Sequence, residues 1–302
     1  MKNKISNLVL GTAQFGMDYG IANKRGKVSK KEIFNILEFA WENGVHSFDT
    51  APSYNSELIL GDFIKANGIS NDIKILTKLP KVKDNKKIKY SIRLSIENSL
   101  KNLGTQISVL FFHNPKDSKY INDNIRFFKK IVNDYYLKSL GVSVYGPQEV
   151  NNLGECSLDL AYQFPLNILD QRFLGIDMPI GKKYARSIFL QGILASPNFI
   201  REECPIELKE IHKKYHAHLL KHGIDPIEAA ISFVADNKSK SSFSLYATVN
   251  HHGSFAGGHY TAYVKSADDK WFHANDRSIT NIDVSEVTKG KSAYIVFYER
   301  TR

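Results

Sequence analysis

Three short apolar runs decide the fold of this chain: VHSFDTA (45–51), IKILTKL (73–79) and ISVLFFH (107–113). Each run is rich in β-branched or aromatic residues and is bounded by Gly, Pro, Asn or Asp, which is typical of strands buried in a parallel sheet. Four further runs share this character: LVLGTAQF (8–15), LKSLGVSVY (137–145), LDLAYQF (158–164) and RSIFLQGIL (186–194). The sequence therefore predicts seven buried strands.

Amphipathic segments separate these runs. KKEIFNILEFAWENG (30–44) carries apolar residues at helical spacing and stops at Gly44, and the segments 91–104 and 122–136 have the same pattern. A succession of strand-then-helix units indicates a parallel barrel or a doubly wound sheet. The 302 residues are enough for a (β/α)₈ barrel, which needs roughly 250 residues.

The pattern changes near residue 238. The segment DPIEAAISFVADNK (225–238) is a predicted helix, after which an eighth barrel strand and helix should follow. The chain instead continues with the strand-like runs FSLYATV, GHYTAYVK and SAYIVFYER, separated by Gly, Asp and Asn clusters. We therefore predict an α/β chain with a boundary at about 238. Residues 1–238 form a (β/α)₈-type parallel barrel that lacks its last βα unit, and residues 239–302 form a small β-rich segment.

Composition excludes several classes of function. The net charge is +10, but the lysines are scattered over predicted helices, so we expect a solvated basic surface and no nucleic-acid partner. No stretch is apolar and long enough to cross a bilayer, and the N-terminus lacks the apolar core of a signal peptide, so we expect a cytoplasmic location and no membrane partner. Cys156 and Cys204 form no CxxC pair, and no metal site is expected.

Four polar residues follow three consecutive predicted strands. Asp49 and Tyr54 come after the second strand in DTAPSY, Lys78 ends the third in ILTKL, and His113 ends the fourth in VLFFHNP. The carboxyl ends of parallel barrel strands meet at one face of the barrel, where such folds carry their active sites. We therefore expect these four side chains to converge.

At this spacing the segments DTAPSYNSE, ILTKL and FFHNP resemble the Asp-Tyr-Lys-His signature of the aldo-keto reductases, and LVLGTAQFG resembles their opening strand. The resemblance covers residues 1 to about 238. It implies an oxidoreductase that transfers a hydride from a nicotinamide cofactor, expected to be NADP, to a small carbonyl substrate. The residue after Tyr54 is usually Gly in this family and is Asn55 here.

The chemistry expected of these residues is a proton transfer. A carbonyl that accepts a hydride also needs a proton, and a phenol that titrates near 10 is a weak acid at neutral pH. A lysine ammonium about 4 Å away would favour the phenolate by roughly 4 kcal/mol, or about three pKa units. We therefore expect Lys78 to lower the pKa of Tyr54, Asp49 to hold Lys78 charged, and His113 to orient the carbonyl oxygen.

The resemblance also implies a cofactor site. The residues that match the family's nicotinamide and pyrophosphate contacts are Gly11, Thr12, Ala13, Ser143, Gln163 and Arg186. Arg186 stands where the family often stacks an aromatic ring on the nicotinamide, and a planar guanidinium could stack in the same way. The segment after the eighth strand, which grips the adenosine 2′-phosphate and ribose in this family, is missing from the sequence.

The C-terminal segment has a resemblance of its own. FSLYATVNHHGSFAGGHYTAYVK, followed by WFHAND and SAYIVFYER, resembles the histidine box that closes the catalytic domain of ubiquitin-specific proteases, over about residues 243–300. It implies that His259 descends from the general base, that Asn275 orients it and that Asp276 lies beside it. The family usually has an aromatic residue where Ala274 stands. The family's cysteine box is absent from the sequence.

Three functions remain open from the sequence. The first is a nicotinamide-dependent carbonyl reductase, impaired by the loss of the last barrel unit. The second is a fragment related to ubiquitin-specific proteases, with ubiquitin as a partner for deubiquitination or binding. The third is an inactive composite of two truncated enzymes.

Overall fold

The structure is a computed structural model. It describes residues 8–20, 23, 26–81, 87–151, 158–176, 178–179, 181–198, 204–236, 243–254, 257–266, 270–275, 278–283, 287 and 293–300. Within these ranges, no helix combines the length and the apolar composition required to cross a membrane.

The first sheet contains seven parallel strands whose spatial order follows the sequence. The strands are β1 (Leu10–Gly11), β2 (Ser47–Asp49), β3 (Lys74–Leu79), β4 (Ile107–Phe112), β5 (Ser139–Ser143), β6 (Ala161–Pro165) and β7 (Lys183–Arg186). In the part of the chain that the structure describes, no eighth parallel strand joins β7 to β1. The predicted fold class, a parallel barrel that lacks its last unit, is confirmed.

Helices follow strands β1 to β5 and strand β7 of this sheet. They are α1 (Ala13–Gly16), α2 (Lys30–Glu42), α3 (Glu57–Asn67), α4 (Ile88–Leu103), α5 (Lys119–Asp123), α6 (Ile125–Asp134), α7 (Pro147–Asn151), α8 (Ile206–Lys221) and α9 (Pro226–Asp236). Short 3₁₀ helices cover Pro52–Tyr54, Pro115–Ser118 and Leu190–Gly192. The Ser29 side chain caps α2 by accepting a hydrogen bond from the Glu32 N–H.

The alternation of side chains along the strands produces two packed regions. Ile75 in β3 packs with helix residues such as Leu37 and Leu60 in the large core between sheet and helices. Leu76 points to the opposite face, where it packs with Val109, Phe111 and Ala161. Because side chains alternate with a period of two, Lys78 lies on the same face as Leu76, and Gln163 on the same face as Ala161. The inner face of the sheet therefore carries polar side chains toward the carboxyl ends of its strands.

Three sequence predictions differ from the structure in detail. The run LVLGTAQF (8–15) was expected to be a strand, but β1 covers only Leu10–Gly11 and α1 begins at Ala13. The run RSIFLQGIL (186–194) was expected to be a strand, but β7 ends at Arg186 and the backbone turns at Ser187, whose φ is 57°. The Ser187 carbonyl accepts a hydrogen bond from the Asn167 side chain at 3.0 Å, which holds this turn. The single helix expected over 122–136 is interrupted at Asn124, which has a φ of −132° and separates α5 from α6.

The second sheet lies after residue 242 in the sequence and is antiparallel throughout. Its strands are β8 (Phe243–Ser254), β9 (Gly257–Lys265), β10 (Trp271–Asn275), β11 (Ser278–Ile282) and β12 (Ala293–Arg300), in the order β11-β10-β9-β8-β12. This sheet confirms the small β-rich segment predicted from the sequence.

Candidate active site

The four residues expected to be catalytic lie together at the carboxyl ends of neighbouring strands. Asp49 is the last residue of β2, Lys78 lies near the end of β3, and His113 directly follows β4. Tyr54 ends the 3₁₀ helix that follows β2. The parallel register, which pairs Asp49 with Leu76 and Lys78 with Phe111, brings these strand ends to one level.

Lys78 and Asp49 form the charged centre of the site. The Lys78 ammonium donates to both Asp49 carboxylate oxygens, at 2.8 and 2.7 Å, and to the Thr50 carbonyl at 3.0 Å. The Lys78 side chain is 2% exposed and that of Asp49 is 16% exposed. A buried ammonium requires such compensation, since removing either partner would leave an unpaired charge in a region of low dielectric.

Tyr54 and His113 flank this ion pair. The Lys78 Nζ lies 4.9 Å from the centre of the Tyr54 ring, and the Tyr54 and His113 rings meet edge to face with their centres 6.0 Å apart. Three groups capable of donating a proton or a hydrogen bond therefore surround one small volume at the end of the barrel. A carbonyl oxygen placed there would be within reach of both the phenol and the imidazole.

The protonation state of Tyr54 differs from the expectation. Burial, followed by the negative charge of Asp49, raises the pKa of the Tyr54 hydroxyl above its ordinary value, whereas the sequence predicted that Lys78 would lower it. Asp49 contacts Lys78 through both carboxylate oxygens, and its negative charge partly offsets the field of the ammonium at the phenol. Tyr54 is therefore a neutral phenol at physiological pH.

Burial also affects the pKa values of the basic groups Lys78 and His113. Burial lowers the pKa of Lys78, and Asp49 opposes this effect through its charge and its hydrogen bond. Burial, and then the charge of Lys78, lowers the pKa of His113. His113 is therefore a neutral imidazole near pH 7, able to donate one hydrogen bond.

A buried hydroxyl network fixes the position of Asp49. The Thr12 hydroxyl donates to the Asp49 carbonyl at 3.0 Å and lies 2.9 Å from the Ser56 hydroxyl, which in turn lies 3.0 Å from the Thr50 hydroxyl. All three hydroxyl side chains are fully buried. Thus β1, the end of β2 and the start of α3 are joined directly behind the ion pair.

The loop that carries Tyr54 is held by close backbone packing. A Cβ on Gly16 would lie 1.8 Å from the Tyr54 carbonyl oxygen, so only glycine allows α1 to approach this loop. Asn55, which stands where the family usually has glycine, adopts a left-handed conformation with φ 56°. Asn tolerates this conformation better than most residues, so the departure from the family pattern preserves the turn after Tyr54.

Of the residues expected to bind the cofactor, two form a hydrogen-bonded chain with the ion pair. The Ser143 hydroxyl donates to the Gln163 side-chain oxygen at 3.2 Å, and the Gln163 amide donates to Asp49 Oδ1 at 2.9 Å. Gly11 ends β1, Thr12 belongs to the hydroxyl network, and Ala13 begins α1. All of these residues lie at the carboxyl ends of β1, β5 and β6.

Arg186 lies at the end of β7 and packs on a tyrosine. Its guanidinium carbon is 4.4 Å from the centre of the Tyr145 ring, and its terminal nitrogens donate to the Val144 carbonyl at 2.9 Å and the Ser187 hydroxyl at 3.3 Å. The Arg186 Nε is buried and has no hydrogen-bond partner. One face of the guanidinium therefore rests on Tyr145, and the arginine retains an unused donor.

Sequence reasoning missed several residues that shape the site. Ser56 and Glu57 follow Tyr54 inside the quoted segment DTAPSYNSE, so their proximity was visible in the sequence, although their roles were not. The buried Glu57 accepts hydrogen bonds from Thr77 at 2.8 Å and Asn102 at 3.3 Å, which tie α3 to the strand that carries Lys78. Nothing in the sequence identified Tyr145.

A cleft of about 350 Å³ opens beside His113. Its lining residues are Lys81, His113, Asn114, Pro115, Lys116 and Tyr145. They come from the segments that follow β3, β4 and β5, the side of a parallel barrel where substrates bind. The cleft therefore adjoins the candidate site, because His113 belongs to both.

The residues expected from the protease-like resemblance lie in the second sheet. His259 is in β9, where it pairs with His252 of β8, and Asn275 ends β10, the other neighbour of β9. Asp276 lies outside the described residues, as does Cys156, whereas Cys204 is a half-buried free thiol before α8. Across the part of the chain that was searched, no group of three His, Cys, Asp or Glu side chains could hold a metal ion.

Comparison with curated proteins finds ubiquitin carboxyl-terminal hydrolases. Ubiquitin carboxyl-terminal hydrolase 9 of Arabidopsis thaliana is 43% identical over 75 residues, and hydrolase 15 of Homo sapiens is 32% identical over 83 residues. These matches cover 24% and 27% of this chain and 8% of each relative. The chain thus spans less than a tenth of the length of these two relatives.

Comparison with solved structures finds aldo-keto reductase folds. The glycerol dehydrogenase of Gluconobacter oxydans has a TM-score of 0.58 at 22% identity, covering 76% of this chain and 79% of that chain. A protein assigned as an aldo-keto reductase in Pseudomonas aeruginosa has a TM-score of 0.50 at 19% identity, covering 76% and 90%. These likenesses show the fold. The sequence profile of the Aldo/keto reductase family matches residues 7–173, more than half of the 302 residues, and the chain therefore belongs to the aldo/keto reductase family.

Proposed function

We propose that the barrel reduces a small carbonyl substrate with a hydride from a nicotinamide cofactor, expected to be NADPH. The observation that carries this proposal is the arrangement of the Tyr54 phenol beside His113 and above the buried Lys78–Asp49 pair. Family membership supports the same reaction class.

Tyr54 is the proposed proton donor. A nicotinamide bound at this site supplies the hydride, with its electron pair, to the carbonyl carbon. The carbon–oxygen π bond breaks toward oxygen, and the resulting alkoxide takes the proton of the Tyr54 hydroxyl. An alkoxide is a stronger base than a phenolate, so this transfer is favourable even though burial raises the pKa of Tyr54. Solvent then restores the phenol.

The remaining residues of the site orient the carbonyl group and stabilise the charges that develop during the reaction. A neutral His113 donates a hydrogen bond to the carbonyl oxygen, where negative charge develops. The Lys78 ammonium stabilises Tyr54 more strongly as the phenol loses its proton, since the ammonium lies next to the ring that becomes the phenolate. Asp49 holds Lys78 in place and keeps it charged.

Six residues are proposed to contact the cofactor: Gly11, Thr12, Ala13, Ser143, Gln163 and Arg186. The unused Nε donor of Arg186 and the Ser143–Gln163–Asp49 chain fit a ligand rich in hydrogen-bonding groups. The family's contact to the adenosine 2′-phosphate has no counterpart in the sequence, so we expect weak binding and little discrimination between NADPH and NADH.

The test of this proposal is a survey of aldehydes and ketones with NADPH and then NADH, monitored by loss of the reduced cofactor's absorbance. Mass spectrometry of the alcohol product excludes oxidation of the cofactor by other routes. We expect slow, cofactor-dependent formation of alcohol from at least one reactive aldehyde. Absence of product from every aldehyde at saturating cofactor would favour the third possibility, an inactive composite.

A second proposal concerns residues 239–302. We propose that this segment is a separate unit, derived from the end of a ubiquitin-specific protease domain, and that it does not hydrolyse ubiquitin conjugates. The matches to ubiquitin carboxyl-terminal hydrolases and the histidine-box motif around His259 support the origin of the segment. Binding of ubiquitin without hydrolysis is the activity that remains open for it.

A further inference from the structure

We propose that the cleft beside His113 binds an anionic group of the substrate, so that the barrel prefers carbonyl compounds that carry a carboxylate or a phosphate. This inference rests on the proposed reductase function, since it places the reacting carbonyl between Tyr54 and His113. In this arrangement the cleft binds the end of the substrate that does not react.

The charge of the cleft carries the inference. Lys81 and Lys116 are both exposed in its lining, and within the described part of the chain neither ammonium has an ion-pair partner. Two cations in the lining of one concave surface, with no ion-pair partner among the described residues, create a positive potential there, which favours an anionic ligand over a neutral one. The two arms follow β3 and β4, the strands that carry Lys78 and lead to His113.

The neighbouring carboxylate, Asp117, is not part of the cleft lining. Asp117 is only 9% exposed, and its Oδ1 accepts a hydrogen bond from the Asn114 amide at 3.3 Å. The Asn114 side-chain oxygen accepts the Lys116 backbone N–H at 3.1 Å and so caps the 3₁₀ helix. Asn114 therefore holds Asp117 inside the loop while Lys116 projects to solvent at the cleft.

The third wall supplies further positive charge. Tyr145 lines the cleft, and the Arg186 guanidinium packs on its ring at 4.4 Å. This contact supports the position of the Tyr145 ring at the cleft. An anionic ligand at this position meets two lysines and a tyrosine, with a third cation one side chain behind.

A matched pair of aldehydes tests the inference. The pair is 4-carboxybenzaldehyde and its methyl ester, which share the ring and the reacting group and differ in charge. We expect a higher kcat/KM for the carboxylate. The variant Lys81→Gln/Lys116→Gln should lower that preference by about tenfold, because exposed ion pairs contribute roughly three- to fivefold each. Reduction of the ester should remain nearly constant.

Two controls distinguish the effect of charge at the cleft from the effect of charge elsewhere on the protein. Lys101→Gln removes an exposed lysine of α4 outside the cleft and should leave the preference unchanged. Added salt should reduce the preference of the wild-type protein, as expected for partly exposed charges. Equal kcat/KM for the two aldehydes in wild type, or a preference that the double substitution does not alter, would overturn the inference.

The phosphates of the cofactor are an alternative source of the anion. If they occupied the cleft, Lys81→Gln/Lys116→Gln would weaken NADPH binding by a similar factor and leave the ratio between the two aldehydes constant. We expect the reverse, an unchanged cofactor affinity and a changed ratio. The first result would reject the substrate assignment.

A binding measurement keeps the inference testable if neither aldehyde is reduced, which would count against the proposed function itself. Benzoate and benzamide can be titrated while the His113 imidazole signals are followed by NMR. We expect benzoate, and not benzamide, to shift these signals in wild type and to lose its effect in the double variant. Equal shifts from both ligands, or none from benzoate, would reject an anion site.

Discussion

The barrel and the second sheet differ in how their polar residues are held. In the barrel, Lys78 is 2% exposed and each of its hydrogen-bond partners is itself anchored by a strand or by the hydroxyl network. In the second sheet, Asn275 ends β10 as an exposed residue, and Trp271 and Val287 are among the buried apolar side chains that the structure describes. The ion pair of the barrel is thus enclosed by the fold, whereas Asn275 of the protease-like motif lies at the surface.

Replacing Tyr54 should produce the largest effect on activity. Tyr54→Phe removes the proposed proton donor and keeps the ring, so we expect carbonyl reduction to fall by roughly 10²- to 10⁴-fold while cofactor affinity stays nearly constant. Tyr136→Phe is the matched control, since Tyr136 is 75% exposed and outside the site. Turnover of Tyr54→Phe at the wild-type rate would remove Tyr54 from the mechanism.

Replacing Lys78 should produce the largest effect on stability. Lys78→Met leaves the largely buried Asp49 carboxylate without its ion-pair partner, which we expect to cost about 3 kcal/mol of the free energy of unfolding in urea. The control is Lys30→Met, which breaks the exposed pair with Asp62 and should cost less than about 1 kcal/mol. Similar losses for the two variants would show that the Lys78–Asp49 pair is not sequestered from solvent.

The dependence of activity on pH should be weak. Since the pKa of Tyr54 is raised, the phenol keeps its proton throughout the neutral and mildly alkaline range, and since the pKa of His113 is lowered, the imidazole stays neutral above its ordinary titration range. We expect kcat/KM for reduction to vary less than about twofold between about pH 7 and pH 9. A fall centred near pH 7 or 8 would show that Lys78 does lower the pKa of Tyr54 when substrate is bound.

The second sheet should give no covalent reaction with a ubiquitin probe that carries a C-terminal electrophile. Such a probe needs a thiolate beside the ubiquitin tail, and neither Cys156 nor Cys204 has the sequence surroundings of a protease nucleophile. Mass spectrometry after incubation should show unmodified protein. An adduct at either cysteine that is lost in His259→Ala would make the protease the leading function.

The parallel sheet could be predicted because its signals are local. The short β-branched run IKILTKL forms the predicted strand, and the period of two then determines that Lys78 shares a face with Leu76. The half-buried turn at Ser187 could not be predicted, because the run RSIFLQGIL is as apolar as a strand and the hydrogen bond that holds the turn comes from the distant Asn167. Tertiary contacts overrode the local pattern there.

The composition of the site could be predicted, but its electrostatics could not. The order Asp49, Tyr54, Lys78, His113 along consecutive strands was sufficient to expect their convergence. The direction of the Tyr54 pKa shift depended on the depth of burial and on the two-pronged Lys78–Asp49 contact, neither of which the sequence contains. The cleft next to His113 likewise depends on three loops whose meeting is a property of the fold.

We propose that a barrel without its eighth unit still holds a nicotinamide cofactor at the site around Lys78. The decisive measurement is titration of the full chain with NADPH and with NADH, followed by quenching of tyrosine and tryptophan fluorescence. We predict saturable binding of both, with dissociation constants of roughly 10 µM or higher, because each lost charge-assisted contact to the 2′-phosphate weakens binding by about tenfold. The absence of saturable quenching by either nucleotide would contradict the claim.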